Sequence, residues 1–179
     1  MDQIKYLTPT QTEKLFEVII NFRDKLIINL LLDTGMRIKE FSMMKFEHLD
    51  FDNCYIRIPI ENTKTREART TRVNRLLMND LQAYCKQEGI RKSYIWKGYT
   101  NPITTRTLQY MVKNYGKKAG IDWLTPHKLR HTHIVRALSM GVSMNAVQAQ
   151  VGHKRLTTTQ VYSKLAPAEV QKAYDGVGL

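Results

Sequence analysis

The chain has 179 residues and carries 28 Lys and Arg against 16 Asp and Glu, which gives a formal net charge of +12 at pH 7. An excess of this size favours a polyanionic partner, with nucleic acid first, over an anionic membrane surface or solubility alone. The sequence has neither the run of about 18 apolar residues that a membrane span needs nor an apolar signal-peptide core. Its two cysteines, Cys54 and Cys85, have no metal-like spacing, so we expect reduced thiols and a cytoplasmic protein.

Three helices are predicted in the first part of the chain. Thr8 can cap the first one, Pro9 suits its first position, and Gln11 completes a capping box. The second carries the apolar run L-I-I-N-L-L-L, which indicates a buried helix, and Gly35 is a candidate C-terminal cap. We predict these helices over residues 9–20, 23–33 and 38–46.

The pattern then changes to that of a small antiparallel sheet. Residues 54–60, C-Y-I-R-I-P-I, alternate apolar and polar side chains, as a half-buried strand does. Residues 61–68 are polar and turn-like, and residues 68–74 are again rich in strand-forming types, so this region predicts a basic hairpin. A third short strand is predicted over S-Y-I-W, residues 93–96.

Helices fill the rest of the chain. Four of them are predicted from apolar periodicity and terminal glycines, and a further short helix should carry Tyr162. The expected fold class is therefore mainly α with a small antiparallel β-sheet, within one domain. The predicted helices cover residues 79–88, 105–118, 126–140 and 144–151, and another is predicted over 167–174.

The stretch T-P-H-K-L-R-H, residues 125–131, predicts an anion site at the start of a helix. Thr125 can cap this helix and Pro126 can open it. His127 and Arg130 are three residues apart and therefore share a face, where free N–H groups and the helix dipole also favour an anion. Taken alone, the pattern is more typical of a surface histidine near a helix cap.

The stretch T-G-M-R-I-K-E, residues 34–40, places an arginine at a corner between two helices. Arg37 can point to solvent or inward to a site, and Glu40, three residues later, can hold it by a charge-assisted hydrogen bond. A routine surface ion pair is the alternative.

The predicted hairpin is strongly basic. Lys64 lies at its tip, and Arg66, Arg69, Arg72 and Arg75 follow. A basic ribbon of this kind can enter a DNA groove or follow phosphates. A solvated turn is the alternative interpretation.

Residues 151–162, V-G-H-K-R-L-T-T-T-Q-V-Y, place His153 nine residues ahead of Tyr162. A phosphate-binding imidazole and a nucleophilic phenol would fit this pair. A surface helix, a turn and a core tyrosine would fit it as well.

The order and spacing of these stretches closely resemble the tyrosine recombinase (phage integrase) family. The resemblance covers nearly the whole chain, as the catalytic domain of that family, and T-G-M-R-I-K-E, H-K-L-R-H-T, V-G-H-K-R and T-T-T-Q-V-Y carry it. It implies six catalytic residues, two supporting residues and several DNA contacts. The catalytic set is Arg37, Lys64, His127, Arg130, His153 and Tyr162; the supporting residues are Glu40 and His131; the DNA contacts are Arg66, Arg69, Arg106 and Lys154.

The resemblance also implies a mechanism for cutting and rejoining DNA without metal, ATP or another cofactor. Tyr162 would attack phosphorus and form a 3′-phosphotyrosine link, while the two arginines stabilise the phosphate charge. Lys64 would protonate the departing 5′-oxygen, His127 would assist proton transfer at the tyrosine, and His153 would hydrogen-bond the phosphate.

The partner implied is double-stranded DNA, on which the full-length protein would form a synaptic tetramer. Few residues precede Arg37, so we expect an isolated catalytic domain over 1–179, without the N-terminal core-binding domain usual in the family. The alternatives are a type IB topoisomerase, a catalytically silent DNA-binding protein and an RNA-binding module. His131 is expected to face away from His127 and support the core, and His48 and His133 are expected to be structural.

Overall fold

The computed structural model describes residues 5–63, 67–99 and 101–152 of the chain. The helices predicted around Tyr162 and over 167–174 lie outside these residues. Within them, the prediction of a mainly α fold with a small antiparallel sheet is confirmed. No helix of the described part is long and apolar enough to cross a membrane.

The first three helices are α1 (Pro9–Glu17), α2 (Phe22–Thr34) and α3 (Ile38–Ser42). The predicted capping box is present, because the Thr8 hydroxyl accepts from the Gln11 N–H at 3.2 Å and the Thr8 N–H donates to the Gln11 side chain at 3.0 Å. α1 ends before residue 20, since Asn21 must be extended to accept from the Asp24 N–H and cap α2. α3 is also shorter than predicted, and a 3-10 turn follows at Phe46–His48.

The sheet has three antiparallel strands in the order β1 (Leu49–Asp50), β2 (Tyr55–Ile58) and β3 (Arg69–Arg72). β2 and β3 form the predicted hairpin, in a register that pairs Tyr55 with Arg72. On β2 the exposed and buried residues alternate, as the pattern of apolar residues predicted.

The prediction of a third strand at 93–96 is wrong. The third strand is β1, and Tyr94 makes only an isolated bridge with Lys45. The segment is apolar because Ile95 and Trp96 are fully buried, with the Trp96 ring stacked on Phe41 at 5.2 Å. Its composition therefore reflects packing in the core and not pairing in the sheet.

Four further helices complete the described part of the chain. α4 begins four residues before the predicted start because Asn74 caps it, accepting from the Leu76 N–H at 2.9 Å. The other three begin where predicted and end within one residue of the predicted ends. The bounds are Arg75–Gln87 for α4, Thr105–Lys118 for α5, Pro126–Ser139 for α6 and Met144–Val151 for α7.

α2 forms the centre of the core and packs against α4 and α6. A smaller apolar cluster of Ile134, Val147 and Val151 joins α6 to α7. This packing, together with the contact between α7 and β3, brings four parts of the fold to one place. They are the corner between α2 and α3, the strand β3, the middle of α6 and the end of α7.

Candidate active site

The site is built around the C-terminal end of α7, where three successive backbone carbonyls each accept a hydrogen bond from an arginine. The last carbonyls of a helix have no partner within the helix and lie at the negative end of its dipole, so they favour cations. Each arginine comes from a different element of the fold. The pairs are Arg69 Nε with Gln150 O at 3.4 Å, Arg130 Nη2 with Val151 O at 2.8 Å, and Arg37 Nη2 with Gly152 O at 2.9 Å.

Arg37 stands at the corner between α2 and α3 and is held by Glu40. Its backbone N–H donates to Glu40 Oε2 at 2.9 Å, and its Nη1 donates to Oε1 at 3.1 Å. The ion pair predicted from the i,i+3 spacing is therefore present, but it is not a surface pair, because the Glu40 residue is only 2% exposed. The Arg37 side chain keeps 27% of its surface accessible, so a ligand can still reach it.

Arg69 binds the same carboxylate more closely. Its Nη1 donates to Glu40 Oε1 at 2.9 Å and its Nη2 to Oε2 at 2.7 Å, which is the parallel two-bond geometry of a strong arginine–carboxylate pair. Burial opposes ionisation of Glu40, but the hydrogen bonds and charge of Arg69, followed by those of Arg37, keep its pKa below the usual value. Glu40 is therefore an ionised carboxylate shared by two arginines.

Arg130 is the most buried of the three arginines, at 4% exposure. Its Nη1 donates to Gly35 O at 2.5 Å and its Nη2 to Val151 O, so it links the end of α2 to the end of α7. Gly35 has a left-handed backbone (φ 61°) and lies so close to His133 that an added Cβ would come within 2.7 Å of the ring. These two constraints explain the glycine in T-G-M-R.

His127 and His131 lie on the same face of α6. Their Nε2 atoms are 2.7 Å apart, and their rings meet edge to face with centroids 4.3 Å apart. The expectation that His131 faces away is wrong, because four residues turn a helix through only about 40° more than one full turn. A bond between two ring nitrogens needs one of them to be unprotonated, so the two rings cannot both be imidazolium.

Burial of part of the ring, followed by the charges of Arg130 and Lys128, lowers the pKa of His127. The residue stays exposed to solvent. A neutral, accessible imidazole of this kind can accept a proton near pH 7.

The other two histidines within the described ranges make structural contacts. His133 Nδ1 lies 3.0 Å from Leu32 O, and His48 Nδ1 accepts from the Lys45 N–H at 3.2 Å. The expectation that both are structural agrees with these contacts.

Of the predicted DNA contacts, Arg106 is exposed on α5.

One contact at the site was not anticipated from the sequence. The side chain of Gln150 pairs in both directions with the backbone of Arg72, accepting from its N–H at 2.9 Å and donating to its carbonyl at 2.8 Å. No sequence pattern marks such a pair, since the two residues are 78 positions apart.

Five residues of the predicted site lie outside the residues that the structure describes. They are Lys64, Arg66, His153, Lys154 and Tyr162.

Side chains that could bind a metal ion do not cluster in the described part of the fold. Among the residues that the structure describes, no three His, Cys, Asp or Glu side chains lie close enough together to hold a metal ion. Cys54 and Cys85 are both buried free thiols.

The sequence profile of the phage integrase family matches residues 5–169. Among relatives, tyrosine recombinase XerA of Pyrococcus horikoshii is 30% identical over 96% of this chain, and XerA of Saccharolobus solfataricus is 35% identical over 96%. The chain spans 60% and 56% of the lengths of these two proteins.

Solved structures share the fold. The crystal structure of XerA recombinase superposes with a TM-score of 0.82 at 24% identity, over 98% of this chain and 66% of that one. The integrase of transposon Tn1549, in complex with circular intermediate DNA, superposes with a TM-score of 0.74 at 26% identity, over 90% of this chain and 63% of that one. The chain belongs to the phage integrase family.

Proposed function

We propose that this chain, as a single catalytic domain over 1–179, cuts and rejoins double-stranded DNA at specific sites through a covalent 3′-phosphotyrosine intermediate. One observation carries the proposal. The guanidiniums of Arg37 and Arg130, which are far apart in the sequence, reach the neighbouring carbonyls of Gly152 and Val151. His153 is the next residue in the chain.

Two converging guanidiniums suit the chemistry of a phosphodiester. The negative charge of the diester repels nucleophiles, and a guanidinium can bind its non-bridging oxygens through two parallel hydrogen bonds. The carbonyls at the end of α7 hold Arg37 and Arg130 in place before substrate arrives. Such preorganised donors typically contribute about 10²–10³ in rate each.

The covalent step balances without a metal or ATP. The Tyr162 oxygen forms a bond to phosphorus as the bond to the 5′-oxygen breaks, and the phenol proton passes to a base, for which we assign His127. Lys64 supplies a proton to the 5′-oxygen, and His153 donates a hydrogen bond to the phosphate. One ester replaces another, so a 5′-hydroxyl can attack the phosphotyrosine and reverse the step.

DNA is the partner that this proposal requires. The Tn1549 integrase structure and a XerH recombinase structure were both solved with DNA, and the net charge of +12 suits the same polyanion. The proposal extends to a synaptic tetramer of the full-length protein, acting on DNA in the cytoplasm.

The test uses a pool of DNA duplexes with a randomised centre, each nicked so that a cleaved end diffuses away and the adduct is trapped. We expect covalent adducts with the wild-type chain, and mass spectrometry of the digested adduct should place the DNA on the peptide containing Tyr162. Sequencing the trapped DNA then gives the preferred site.

Tyr162→Phe is the matched control, since it removes only the nucleophilic oxygen. It should form no adduct while its DNA affinity stays within about twofold of wild type. An adduct on another residue, or wild-type adduct levels in this variant, would remove Tyr162 from the nucleophile role. Relaxation of supercoiled plasmid by the monomer, without a preferred site, would instead indicate a topoisomerase.

A further inference from the structure

Arg69 is basic and lies at the start of β3, where the sequence predicted a contact with DNA phosphates, but its guanidinium points into the protein. Its side chain is only 11% exposed. Both terminal nitrogens bind Glu40, and its Nε faces Gln150 O. An added Cβ on Gly152 would come within 2.8 Å of Arg69 Cζ, Nε and Nη1. The guanidinium is therefore enclosed on its carboxylate side and against the backbone of Gly152.

The hydrogen bonds of Glu40 show which arginine sets its orientation. Arg69 binds both carboxylate oxygens with its side chain, at 2.9 and 2.7 Å, whereas the Arg37 guanidinium binds only one, at 3.1 Å. A two-bond pair fixes the plane of the carboxylate as well as its position. The oxygen that receives Arg37 Nη1 is thus placed by its pairing with Arg69.

Removing Arg69 would leave Glu40 buried with one partner in place of two. A buried carboxylate that loses a charged partner must move, take up a proton or draw its remaining partner closer. Each outcome changes the position of the Arg37 guanidinium, which is the group exposed enough to meet a phosphate.

We propose that Arg69 is a positioning residue that acts through Glu40 to fix the Arg37 guanidinium, and that it does not contact DNA phosphate. This inference rests on the proposed function, because it assumes that Arg37 stabilises charge on a scissile phosphate. In this proposal Arg69 on β3 and Arg37 at the α2–α3 corner contribute to the rate of DNA cleavage and not to DNA affinity.

The first test separates catalysis from affinity, using the duplex recovered from the trapping experiment. We expect Arg69→Gln and Arg69→Lys to form adduct about 10- to 100-fold more slowly than wild type, as small misplacements of a catalytic group do. Their DNA dissociation constants should stay within about twofold. Arg57→Gln is the matched control, because Arg57 is an exposed arginine on the neighbouring strand β2, and it should cleave at the wild-type rate.

The second test uses a scissile phosphate in which a methyl group replaces one non-bridging oxygen, so that the diester is neutral. If Arg69 acts through Arg37, the defect of Arg69→Gln should shrink at least fivefold on one of the two diastereomers, since less charge needs stabilising. A general loss of folding would slow the neutral and the charged substrates equally, and would overturn the proposal.

A double variant protects the test against misfolding. Arg69→Gln with Glu40→Gln leaves no unpaired buried charge, and its cleavage rate should match that of Glu40→Gln alone, because both changes break one path. Three results would each refute the positioning role of Arg69. They are rate losses that add in the double variant, cleavage by Arg69→Gln at the wild-type rate, and a DNA affinity of Arg69→Gln that falls about tenfold. If the wild-type chain itself forms no adduct, the proposed function fails instead.

Discussion

His133 has two ring nitrogens in unequal surroundings, and this difference favours the neutral ring over the imidazolium. Nδ1 lies 3.0 Å from Leu32 O, so it must carry a proton and donate. Nε2 is buried and has no hydrogen-bond partner among the described residues, so a second proton there would go unpaired. Burial accordingly lowers the pKa of His133, although the Leu32 carbonyl and the charge of Asp33 oppose the shift.

The lowered pKa predicts that acid destabilises the fold. An unfolded histidine takes up a proton near pH 6.5, whereas folded His133 takes one up only at lower pH, so the unfolded state binds more protons in between. Stability is therefore full above pH 6.5 and is lost as the pH falls through this window. Urea unfolding at pH 7.5 and 5.5 should show the loss, and it should be smaller in His133→Asn, which keeps a donor but cannot titrate. Equal losses in the two proteins would contradict the assignment.

The side chain of Gln150 extends β3 on the edge that β2 does not occupy. Its amide makes the two hydrogen bonds with the Arg72 backbone that one residue of a neighbouring strand would make. The end of α7 is thereby tied to the hairpin as well as to the three arginines.

Gln150→Ala should loosen this edge without unfolding the chain. We expect the free energy of unfolding to fall by about 0.5–1.5 kcal/mol, the usual worth of a hydrogen bond near the surface. The Arg72 amide should exchange with solvent faster in hydrogen-exchange measurements. The Val73 amide is the internal control, since it donates to Cys54 O at 2.9 Å and should exchange as before. Unchanged exchange at Arg72 would show that the amide pair does not hold the edge in solution.

Local sequence patterns predicted the bounds of most helices, but they could not predict contacts between residues that are far apart in the chain. The helices over 105–118 and 144–151 have the predicted bounds because each begins at a hydroxyl cap, Thr104 or Ser143, that its own sequence supplies. The Arg37–Glu40 pair was predicted because its partners are three residues apart. The Arg69–Glu40 pair spans 29 residues, so the sequence identified Arg69 only as basic. What a side chain faces depends on packing that no local pattern contains.

The net charge of +12 does not show which arginine side chains are free to contact DNA phosphates, because several guanidiniums already bind groups of the protein. The guanidiniums of Arg37, Arg69 and Arg130 bind carbonyls or a buried carboxylate. Arg75 is exposed, but its two terminal nitrogens bind Phe51 O at 3.0 Å and Asp52 O at 2.7 Å. Arg106 is exposed as well and, within the part of the chain that the structure describes, no side-chain hydrogen bond or ion pair holds it.

Salt dependence of DNA binding should separate these two kinds of arginine. Each phosphate that a protein neutralises adds about 0.9 to the slope of log affinity against log salt. We therefore expect Arg106→Ala to lower the slope by about 0.9, and Arg75→Ala to leave it unchanged. Each variant removes one positive charge, so an effect of net charge alone would change both slopes equally. An unchanged slope in Arg106→Ala, measured by fluorescence anisotropy from 50 to 300 mM salt (about a sixfold range), would mean that Arg106 makes no direct phosphate contact.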